Sequence, residues 1–507
     1  MPSAAIPSHP VVSIEEARAL EAHLFGGQEH KEWGAMQRAG RATADAALRD
    51  FQEIGGFPAA GRLLVLAGKG NNAGDAMIAA REVLERSLGS TADVVFAFGT
   101  RALRPLAARA WRDLSEACRG RVRATDPDGL APEYDLCLDG IFGYQYRPPL
   151  PAEALAAIAA ADGSRIRLRA SVDLPTGLSE PGAFRADFTY ATGSVKVPLL
   201  GCANAGRPRY LDLGFFGDGS GGAAASGGDR VILPSAIGAL AGLRPAASDK
   251  RSQGHLAIVG GSLSYPGAVM MATLSALRSG AGLVTAFVPE RLAPAFAAQA
   301  PEAMWVGLPE TPGGGLALGG LEEILAVAAR ATALAIGPGL GREPETLSLV
   351  MGVVRGCAVP LLIDADALQA DIVRAGTAPR ILTPHAGEFA RIAEREDLQG
   401  LCLAVRGAVI AKGPVTRVCA GKAVYHCLCG GPVLARGGSG DLLAGLAGGL
   451  LAQAPGEPLA AACRAATWHG TAADALARAH GQTAVRTLQL LDFLAPALRE
   501  YAACQGS

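Results

Sequence analysis

The chain has 507 residues, of which 50% are hydrophobic and 18% are charged, and its formal net charge is −1. This composition excludes an intrinsically disordered chain, and the near-neutral charge gives no reason to expect binding to nucleic acid or to an anionic membrane. A chain of this length is expected to form two or three globular domains.

The first residues contain no basic segment followed by an apolar one, so the sequence predicts no secretory signal. Ser13 and Glu16 are instead spaced as a capping box at the start of a helix. The ten cysteines have no framework spacing, which is typical of reduced thiols. We therefore expect a cytoplasmic protein.

Two segments need a choice between interpretations. Residues 252–277 carry no formal charge and are long enough to span a membrane, but glycines and a proline near the middle favour a buried strand, a turn and a helix. Cys427 and Cys429 lie beside His426, yet alternation along a strand puts the two cysteines on one face and the histidine on the other. A buried strand face is the favoured interpretation, and we predict neither a membrane span nor a metal site here.

Strand patterns alternate with helical ones in the first half, which predicts a parallel sheet covered on both faces. The expected strands are residues 62–66, 93–98, 134–139, 167–173 and 209–213.

The second half repeats this style, and it ends in a predicted hairpin with Gly421 in its turn and three helical segments. The expected strands are 255–260, 283–288, 333–337, 360–364 and 408–412, and the helices lie near 440–453, 457–479 and 486–498. Glycine, serine and alanine dominate the stretch between the halves, as in a flexible linker. The sequence thus predicts two unlike α/β domains, residues 1–216 and 230–507, joined by the linker 217–229.

The stretch AGKGNNAGDA, residues 67–76, connects a predicted strand to a predicted helix. The first amides of a helix have no partners within it and bind anions, and residues 68–73 match the loose dinucleotide fingerprint. Asp75 would repel a pyrophosphate placed there, although Arg101 could serve a 2′-phosphate, so a nicotinamide dehydrogenase remains an alternative. No GxxxxGK[ST] motif is present, which excludes a P-loop.

Two further acids, Asp139 and Asp173, follow predicted strands. The ends of parallel strands meet at one edge of a sheet, where ligands bind. Asn72, Asp139 and Thr176 could there supply oxygen ligands to a cation. Each residue alone is equally typical of a cap or a turn, but acids at three strand ends favour a site.

The motifs AGKGNNAGDAMIAAR, LDGIFG followed by RPP, and SVDLPTG resemble those of the NAD(P)H-hydrate epimerase domain, which has a Rossmann-like three-layer α/β/α fold. That family interconverts the R and S epimers of hydrated NADH or NADPH at C6. The resemblance implies that Asp173 is the catalytic acid/base and that Asn72, Asp139 and Thr176 hold a potassium ion. The implied substrate-binding residues are Asp173, Asn71, Asn72, Ala73, Gly74, Asp75, Gly143, Tyr144, Gln145, Tyr146, Arg147, Pro148 and Pro149.

This chain differs from the epimerase pattern in two places. Ala73 and Ala76 stand where the family usually has glycine, and FGYQYRPP replaces a glycine-containing turn. We expect the extra methyl groups and aromatic rings to narrow a pocket lined by backbone.

The stretch GGSGD, residues 437–441, opens a predicted helix with glycines and one acid. Amides in such a turn stabilise the charge on a transferring phosphoryl group, while the acid accepts a hydroxyl proton. Further motifs lie in order before it: YPGAVMMATLSALRSGAG, IGPGLG, LLIDADAL, LTPHAGEF and AKGPVT.

This series resembles the ribokinase-like NAD(P)H-hydrate dehydratase family over most of residues 230–500. The family phosphorylates the C6 hydroxyl of the S hydrate with ADP or ATP, after which phosphate leaves; we expect ADP, together with Mg²⁺. The resemblance makes Asp441 the general base. It further implies substrate contacts at Ala268, Gly339, His385 and Asp441, and nucleotide contacts at Lys412, Gly413, Pro414, Val415, Thr416 and Gly440.

Three functions compete for this sequence. The first is a bifunctional repair enzyme for hydrated NADH and NADPH, which we favour and expect to be a homo-oligomer that acts on small molecules. The second is a ribokinase-superfamily kinase for a vitamin or sugar, with a non-catalytic first domain. In the third, the first domain binds a partner or a nucleotide without turnover.

Overall fold

The computed structural model describes residues 5–217 and 228–504, and the chain forms two compact units. The first unit comprises His9–Gly222 and Ala477–Gln482; the second comprises Met1–Ser8, Ala223–Leu476 and Thr483–Ser507. Residues 218–227, most of the predicted linker, lie outside the described residues. The predicted domain limits stay a prediction.

The units depart from the predicted ranges at two short segments, the residues before His9 and Ala477–Gln482, and the first has a local reason. Residues before His9 group with the second unit, where the Leu233 amide donates to the Pro7 carbonyl at 3.0 Å and the Arg230 side chain donates to the Ser8 hydroxyl at 2.8 Å.

Nine strands and six helices lie between residues 8 and 211. The strands are β1 (Ser8–Val12), β2 (Arg62–Ala67), β3 (Thr91–Phe96), β4 (Val122–Ala124), β5 (Glu133–Gly140), β6 (Arg165–Val172), β7 (Phe188–Thr192), β8 (Val195–Lys196) and β9 (Arg207–Leu211). The helices are α1 (Ile14–Phe25), α2 (Glu29–Phe51), α3 (Asn71–Arg86), α4 (Pro105–Ala117), α5 (Ala152–Asp162) and α6 (Val197–Leu200). The five predicted strands are confirmed, whereas β1, β4, β7 and β8 were not expected.

The main sheet of the first unit has the order β4-β3-β2-β5-β6-β7-β9, and every neighbouring pair is parallel. Leu63 and Val65 of β2 pack in a core with α2, α3 and α4, whereas Leu64 and Leu66 pack in a core with α5. Successive side chains of a strand point to opposite faces, so this alternation confirms three layers. The strand order reverses between β2 and β5, where α/β folds bind ligands.

The capping box predicted for the first helix is confirmed. The Ser13 hydroxyl accepts a hydrogen bond from the Glu16 amide at 3.1 Å, and the Glu16 carboxylate accepts one from the Ser13 amide at 2.7 Å. This reciprocal pair sets the start of α1.

Ten strands and ten helices follow between residues 229 and 504. The strands are β10 (Asp229–Ile232), β11 (His255–Val259), β12 (Leu283–Pro289), β13 (Met304–Leu308), β14 (Ala333–Ile336), β15 (Leu361–Ile363), β16 (Arg380–Leu382), β17 (Ala408–Ala411), β18 (Thr416–Ala420) and β19 (Ala423–Cys427). The helices are α7 (Pro266–Arg278), α8 (Ala293–Gln299), α9 (Leu321–Ala328), α10 (Pro344–Gly356), α11 (Ala370–Arg374), α12 (Ala386–Ala393), α13 (Leu398–Val405), α14 (Ser439–Gln453), α15 (Pro458–His480) and α16 (Leu490–Cys504).

The sheet of the second unit contains the order β13-β12-β11-β14-β15-β16-β17-β18-β19-β10. Its pairs are parallel except β17 with β18 and β18 with β19. The predicted hairpin is confirmed, with Gly421 at a φ of 70° in its turn. The strand order reverses between β11 and β14, which is the second site where an α/β sheet is expected to bind a ligand.

The strand, turn and helix predicted for residues 252–277 are present, whereas β19 ends at Cys427 and does not include Cys429. Residues 252–277 contain β11 and most of α7, and no helix among the described residues is long and apolar enough to cross a membrane. None of the nine cysteines whose side chains the structure describes forms a disulfide bond. Cys427 is buried at the end of β19, and the described part of the chain holds no group of three or more His, Cys, Asp or Glu that could bind a metal ion.

We expect Gly68→Ala to destabilise the first unit by about 1–3 kcal/mol, because the added methyl group would collide with the carbonyl oxygen of Ile141. Hydrogen exchange followed by mass spectrometry should then show faster exchange of amides in β2 and α3. Gly201→Ala is the matched control, because Gly201 has a φ of −110° and no atom within 4 Å of the position that a Cβ would take. Equal exchange in the two variants would contradict a required close approach at Gly68.

Candidate active sites

A cavity of about 240 Å³ lies in the first unit at the point where its strand order reverses. The loop after β2 and the loop after β5 form much of its wall, and α1 and α2 contribute further side chains. Of the substrate-binding residues predicted from the sequence, those that line it are Asn71, Asn72, Asp75, Gly143, Tyr144, Gln145, Tyr146 and Asp173.

Asp173 lies buried in the wall of this cavity, directly after β6. Its φ of 68° places it in the left-handed region, which is costly for a residue with a side chain and occurs most often at functional sites. One carboxylate oxygen accepts a hydrogen bond from the Tyr144 amide at 3.1 Å, and the other forms an ion pair with Lys196.

Lys196 is a site residue that no sequence motif indicated. Its ammonium group also donates to the Thr192 carbonyl at 3.1 Å, and its side chain is only 1% exposed. The short strand β8 pairs with β1, with Lys196 opposite Val12. The ammonium group of Lys196 is therefore positioned by the pairing of two strands that are far apart in the sequence. The residues next to Lys196 in the chain do not indicate this role.

Two further carboxyl groups face the same cavity. Burial, followed by the negative charge of Asp173, raises the pKa of Asp75 well above its usual range. Burial also raises the pKa of Glu21, whose carboxylate accepts a hydrogen bond from the Tyr144 hydroxyl at 2.6 Å. Glu21 was also missed, since α1 precedes the family motifs. The cavity therefore combines one lysine-paired carboxylate with two carboxyl groups whose pKa values are raised by burial.

The methyl groups of Ala73 and Ala76 do not narrow the cavity, contrary to expectation. Both side chains lie on the face of α3 that packs in the core beside α2 and α4, and both are fully buried there. Gly74 is buried against Met36. The aromatic side chains of the FGYQYRPP segment do reach the cavity, because Tyr144 and Tyr146 form part of its wall.

Three predicted residues, Arg147, Pro148 and Pro149, are not among the cavity-lining residues. They follow the lining segment directly in the chain, and their assignment stays a prediction.

Asp139 and Thr176 are in direct contact. The Asp139 carboxylate accepts hydrogen bonds from the Thr176 hydroxyl at 2.7 Å and the Thr176 amide at 2.8 Å, and also from Ser171 and Ile141. Burial nevertheless raises the pKa of Asp139. Within residues 5–217 and 228–504 no lysine or arginine pairs with this carboxylate.

Asn72 completes the predicted cation-binding set. Its side-chain nitrogen is buried and makes no hydrogen bond within the part of the chain that the structure describes. A buried carboxylate without a basic partner favours a bound cation, whereas the unpartnered Asn72 nitrogen is a hydrogen-bond donor and only the oxygen of that amide could be a ligand. The three oxygen donors therefore fit an oxygen-ligated metal ion.

The second site lies in the second unit, where loops after β11 and β14 meet. Gly339 has a φ of 67°, and a Cβ on it would lie 3.0 Å from the Cβ of Ala268. The Ser262 hydroxyl donates to the Gly339 carbonyl at 2.8 Å. The structure thus places Ala268 and Gly339 next to each other. The family resemblance predicted that both contact the same substrate.

Asp441 lies in the first turn of α14, directly after the glycine turn. Gly438 precedes the helix at a φ of 88°, a conformation that glycine adopts without strain. Burial, followed by the negative charge of Asp364, raises the pKa of Asp441 to about 7. A carboxyl group with this pKa can accept a proton near neutral pH.

Lys412 lies beside the glycine turn, since a Cβ on Gly440 would be 3.3 Å from its ammonium nitrogen. This nitrogen is 3.2 Å from the Asp364 carboxylate and 3.8 Å from that of Glu388. Although burial acts to lower it, these two carboxylates raise the pKa of Lys412. Asp364 is held in turn by the Thr383 hydroxyl at 2.6 Å. The sequence contained Asp364 and Glu388 within motifs but assigned them no role.

His385 caps α12. Its ring nitrogen accepts hydrogen bonds from the Gly387 amide at 3.0 Å and the Glu388 amide at 3.3 Å, and its side chain is 60% exposed. The ring can therefore contact a ligand while it caps the helix. The other predicted nucleotide contacts, residues 413–416, form the turn from β17 into β18, next to Lys412.

Comparison with known proteins gives two family matches. Residues 34–197 match the model described as YjeF-related protein N-terminus, and residues 256–496 match the model described as NAD(P)H-hydrate dehydratase.

The curated relatives include the bifunctional NAD(P)H-hydrate repair enzymes of Gloeobacter violaceus and Moorella thermoacetica. The first is 36% identical and the alignment covers 96% of this chain and 98% of the relative; the second is 33% identical and covers 92% of each. A solved ADP/ATP-dependent NAD(P)H-hydrate dehydratase from Bacillus subtilis, co-crystallised with ATP and Mg²⁺, is 27% identical, with a TM-score of 0.44 over 51% of this chain and 94% of that one. Because relatives at this level of identity align over almost its whole length, the chain belongs to the family of bifunctional NAD(P)H-hydrate repair enzymes.

Proposed function

We propose that the first unit interconverts the R and S hydrates of NADH and NADPH at C6, and that the second unit converts the S hydrate to NADH or NADPH at the expense of ADP or ATP. The observation that carries the second assignment is Asp441, placed with a pKa of about 7 at the start of a helix and beside Lys412. The first assignment is supported by Asp173 and Lys196, paired in the wall of a cavity.

In the dehydratase reaction, the Asp441 carboxylate takes the proton of the C6 hydroxyl. The oxygen then attacks the terminal phosphoryl group, and the bond from that phosphorus to the departing nucleotide breaks. The amides at the start of α14 and the ammonium group of Lys412 stabilise the negative charge that develops on the phosphoryl oxygens. Phosphate then leaves C6 while C5 loses a proton, which restores the ring double bond.

Lys412 carries its positive charge at this site before the nucleotide binds. Asp364 and Glu388 balance this charge, so the ammonium group stays protonated although it is largely buried.

The nucleotide we propose is ADP, with ATP as the alternative, bound by residues 412–416 and Gly440. A nucleotide-bound Mg²⁺ would be held by phosphate oxygens with one or two carboxylates, since Mg²⁺ often binds in this way and the described residues contain no larger metal-binding cluster.

In the epimerase reaction, we assign the inversion of C6 to breakage of its carbon–oxygen bond, which re-forms on the other face of the ring. We assign the proton transfer at this oxygen to Asp173, which donates as the hydroxyl leaves as water and accepts as water returns. Lys196 forms an ion pair with Asp173 and so holds this carboxylate in place in a site largely closed to solvent. Asn72, Asp139 and Thr176 would hold a potassium ion, whose positive charge would balance the buried Asp139 carboxylate.

A cytoplasmic location and a homo-oligomeric state remain predictions. The lack of a disulfide bond among the nine cysteines whose side chains the structure describes supports the first of these, because disulfides persist mainly in oxidising compartments.

We expect Asp441→Asn to lower the dehydratase rate by about 10²–10⁴-fold, because a positioned general base contributes a factor of this size. ADP binding, measured by calorimetry, should survive, because Lys412 and the helix amides remain in place. Asp371→Asn, a change of an exposed carboxylate in the same unit, is the matched control and should leave the rate unchanged.

The pH dependence provides a second measurement on the same residue. Since the base must be ionised and its pKa is about 7, kcat/KM should fall as the pH is lowered through 7. Near-normal turnover by Asp441→Asn, or the same pH profile in both proteins, would contradict the assignment of the base.

We expect epimerisation to run faster in potassium than in lithium at matched ionic strength, because the larger ion suits a set of neutral and anionic oxygen ligands. Asp139→Asn should abolish the difference, since it removes the only charged ligand. Ser171→Ala removes a hydrogen bond to Asp139 but no proposed ligand, so this control should still respond to potassium. Equal rates in both salts for the unchanged protein would show that these residues serve only as turn and capping groups.

A further inference from the structure

The cavity of the first unit is too small for a whole dinucleotide. Its volume is about 240 Å³, whereas pockets that enclose a drug-sized ligand have volumes of about 300–1,000 Å³. Only one end of hydrated NADH can therefore be enclosed, and the rest must lie at or beyond the mouth. Because the reacting carbon has to reach Asp173, the enclosed end is the hydrated nicotinamide ring.

The charged side chains around the cavity differ in how deeply they are buried. Asp173 and Lys196 are buried, and burial is strong enough to raise the pKa values of Glu21 and Asp75. Lys69 and Arg104 also line the cavity, but both are exposed. Three carboxyl groups thus lie in the interior and a fourth, that of Glu32, is half-buried, whereas two unshared positive charges lie at the mouth.

A backbone hydrogen bond links the two loops that carry Lys69 and Arg104. The Arg104 amide, just before α4, donates to the Lys69 carbonyl at 2.8 Å. The Lys69 ammonium group lies 4.1 Å from the centroid of the Phe98 ring, which holds it near the glycine loop. Among the residues that the structure describes, no carboxylate forms an ion pair with Lys69 or Arg104, so both charges are available to an anion.

We propose that Lys69 and Arg104 bind the phosphate groups that link the two halves of the hydrated dinucleotide, and so orient the substrate with its nicotinamide ring inward. This inference rests on the proposed epimerase function. The start of α3 supports it, because Gly70 precedes the helix without a side-chain cap, and within the described residues the backbone amides of Asn71 and Asn72 donate no hydrogen bond.

Arg101 offers a matched comparison. It is an exposed arginine three residues before Arg104, but it does not line the cavity. The same charge change at Arg101 and at Arg104 therefore separates a specific contact from the general field of the protein.

The test measures epimerisation with no nucleotide present, so that the second unit is idle. The full chain is compared with Lys69→Gln, Arg104→Gln, the double variant and Arg101→Gln. Each acts on the R hydrate of NADH and on the hydrate of reduced nicotinamide riboside, which has no phosphate. The R and S forms are separated by chromatography, and the spontaneous rate is subtracted.

We expect the double variant to raise KM for hydrated NADH about tenfold or more, because exposed contacts between basic side chains and phosphate contribute modestly but additively. Its kcat should stay within about twofold, since neither residue touches the reacting carbon. Added salt should raise KM for the unchanged protein and have less effect on the double variant. For the riboside hydrate, all five proteins should have the same KM.

Three results would overturn the inference. If the unchanged protein epimerises hydrated NADH but the double variant has the same KM, the phosphates bind elsewhere and the proposed epimerase function stands. A rise in KM for Arg101→Gln equal to that for Arg104→Gln would likewise show that only the overall charge matters. If the unchanged protein does not change the ratio of R to S, the epimerase function itself fails, and the inference fails with it.

Discussion

Both sites depend on the convergence of parallel strand ends where the strand order of a sheet reverses. In the first unit this point lies between β2 and β5, and in the second it lies between β11 and β14. Residues far apart in sequence meet there, such as Asn72 with Asp173, and Ala268 with Gly339. Loops can approach so closely only where a side chain is missing, which is why Gly68 faces the Ile141 carbonyl with no room for a methyl group. The chemistry of each unit is thus a consequence of its topology.

The two sites use a buried lysine in different ways. Lys196 pairs directly with Asp173, the proposed acid/base of the first site, whereas Lys412 pairs with Asp364 and leaves Asp441 unpaired. A buried charge without a partner costs several kcal/mol, so each lysine is needed where it lies. Direct pairing suits a group that must exchange protons in both directions. In the second site the lysine pairs with a different carboxylate, and Asp441 has a pKa of about 7, which suits a base that accepts one proton per turnover.

Local patterns in the sequence were sufficient to predict the glycine loops, the acids after strands and the two α/β units, because each is encoded within a few neighbouring residues. Lys196 and Glu21 could not be predicted in this way. Lys196 is positioned by the pairing of β8 with β1, and Glu21 by the packing of α1 near a loop more than a hundred residues away. The direction of the Ala73 and Ala76 side chains was also misjudged, since a motif does not show which face of α3 meets the core. Tertiary contacts, then, determine what local patterns leave open.

A mixture of the R and S hydrates of NADH, incubated with the protein and ADP, tests most directly whether the two units carry successive reactions. The recovery of NADH is followed by the absorbance of its reduced ring. If the second unit consumes the S form while the first unit converts R to S, recovery will run to completion, much faster than spontaneous epimerisation allows. Recovery that stops when the initial S form is consumed would contradict an active epimerase, and no recovery with either ADP or ATP would contradict the dehydratase.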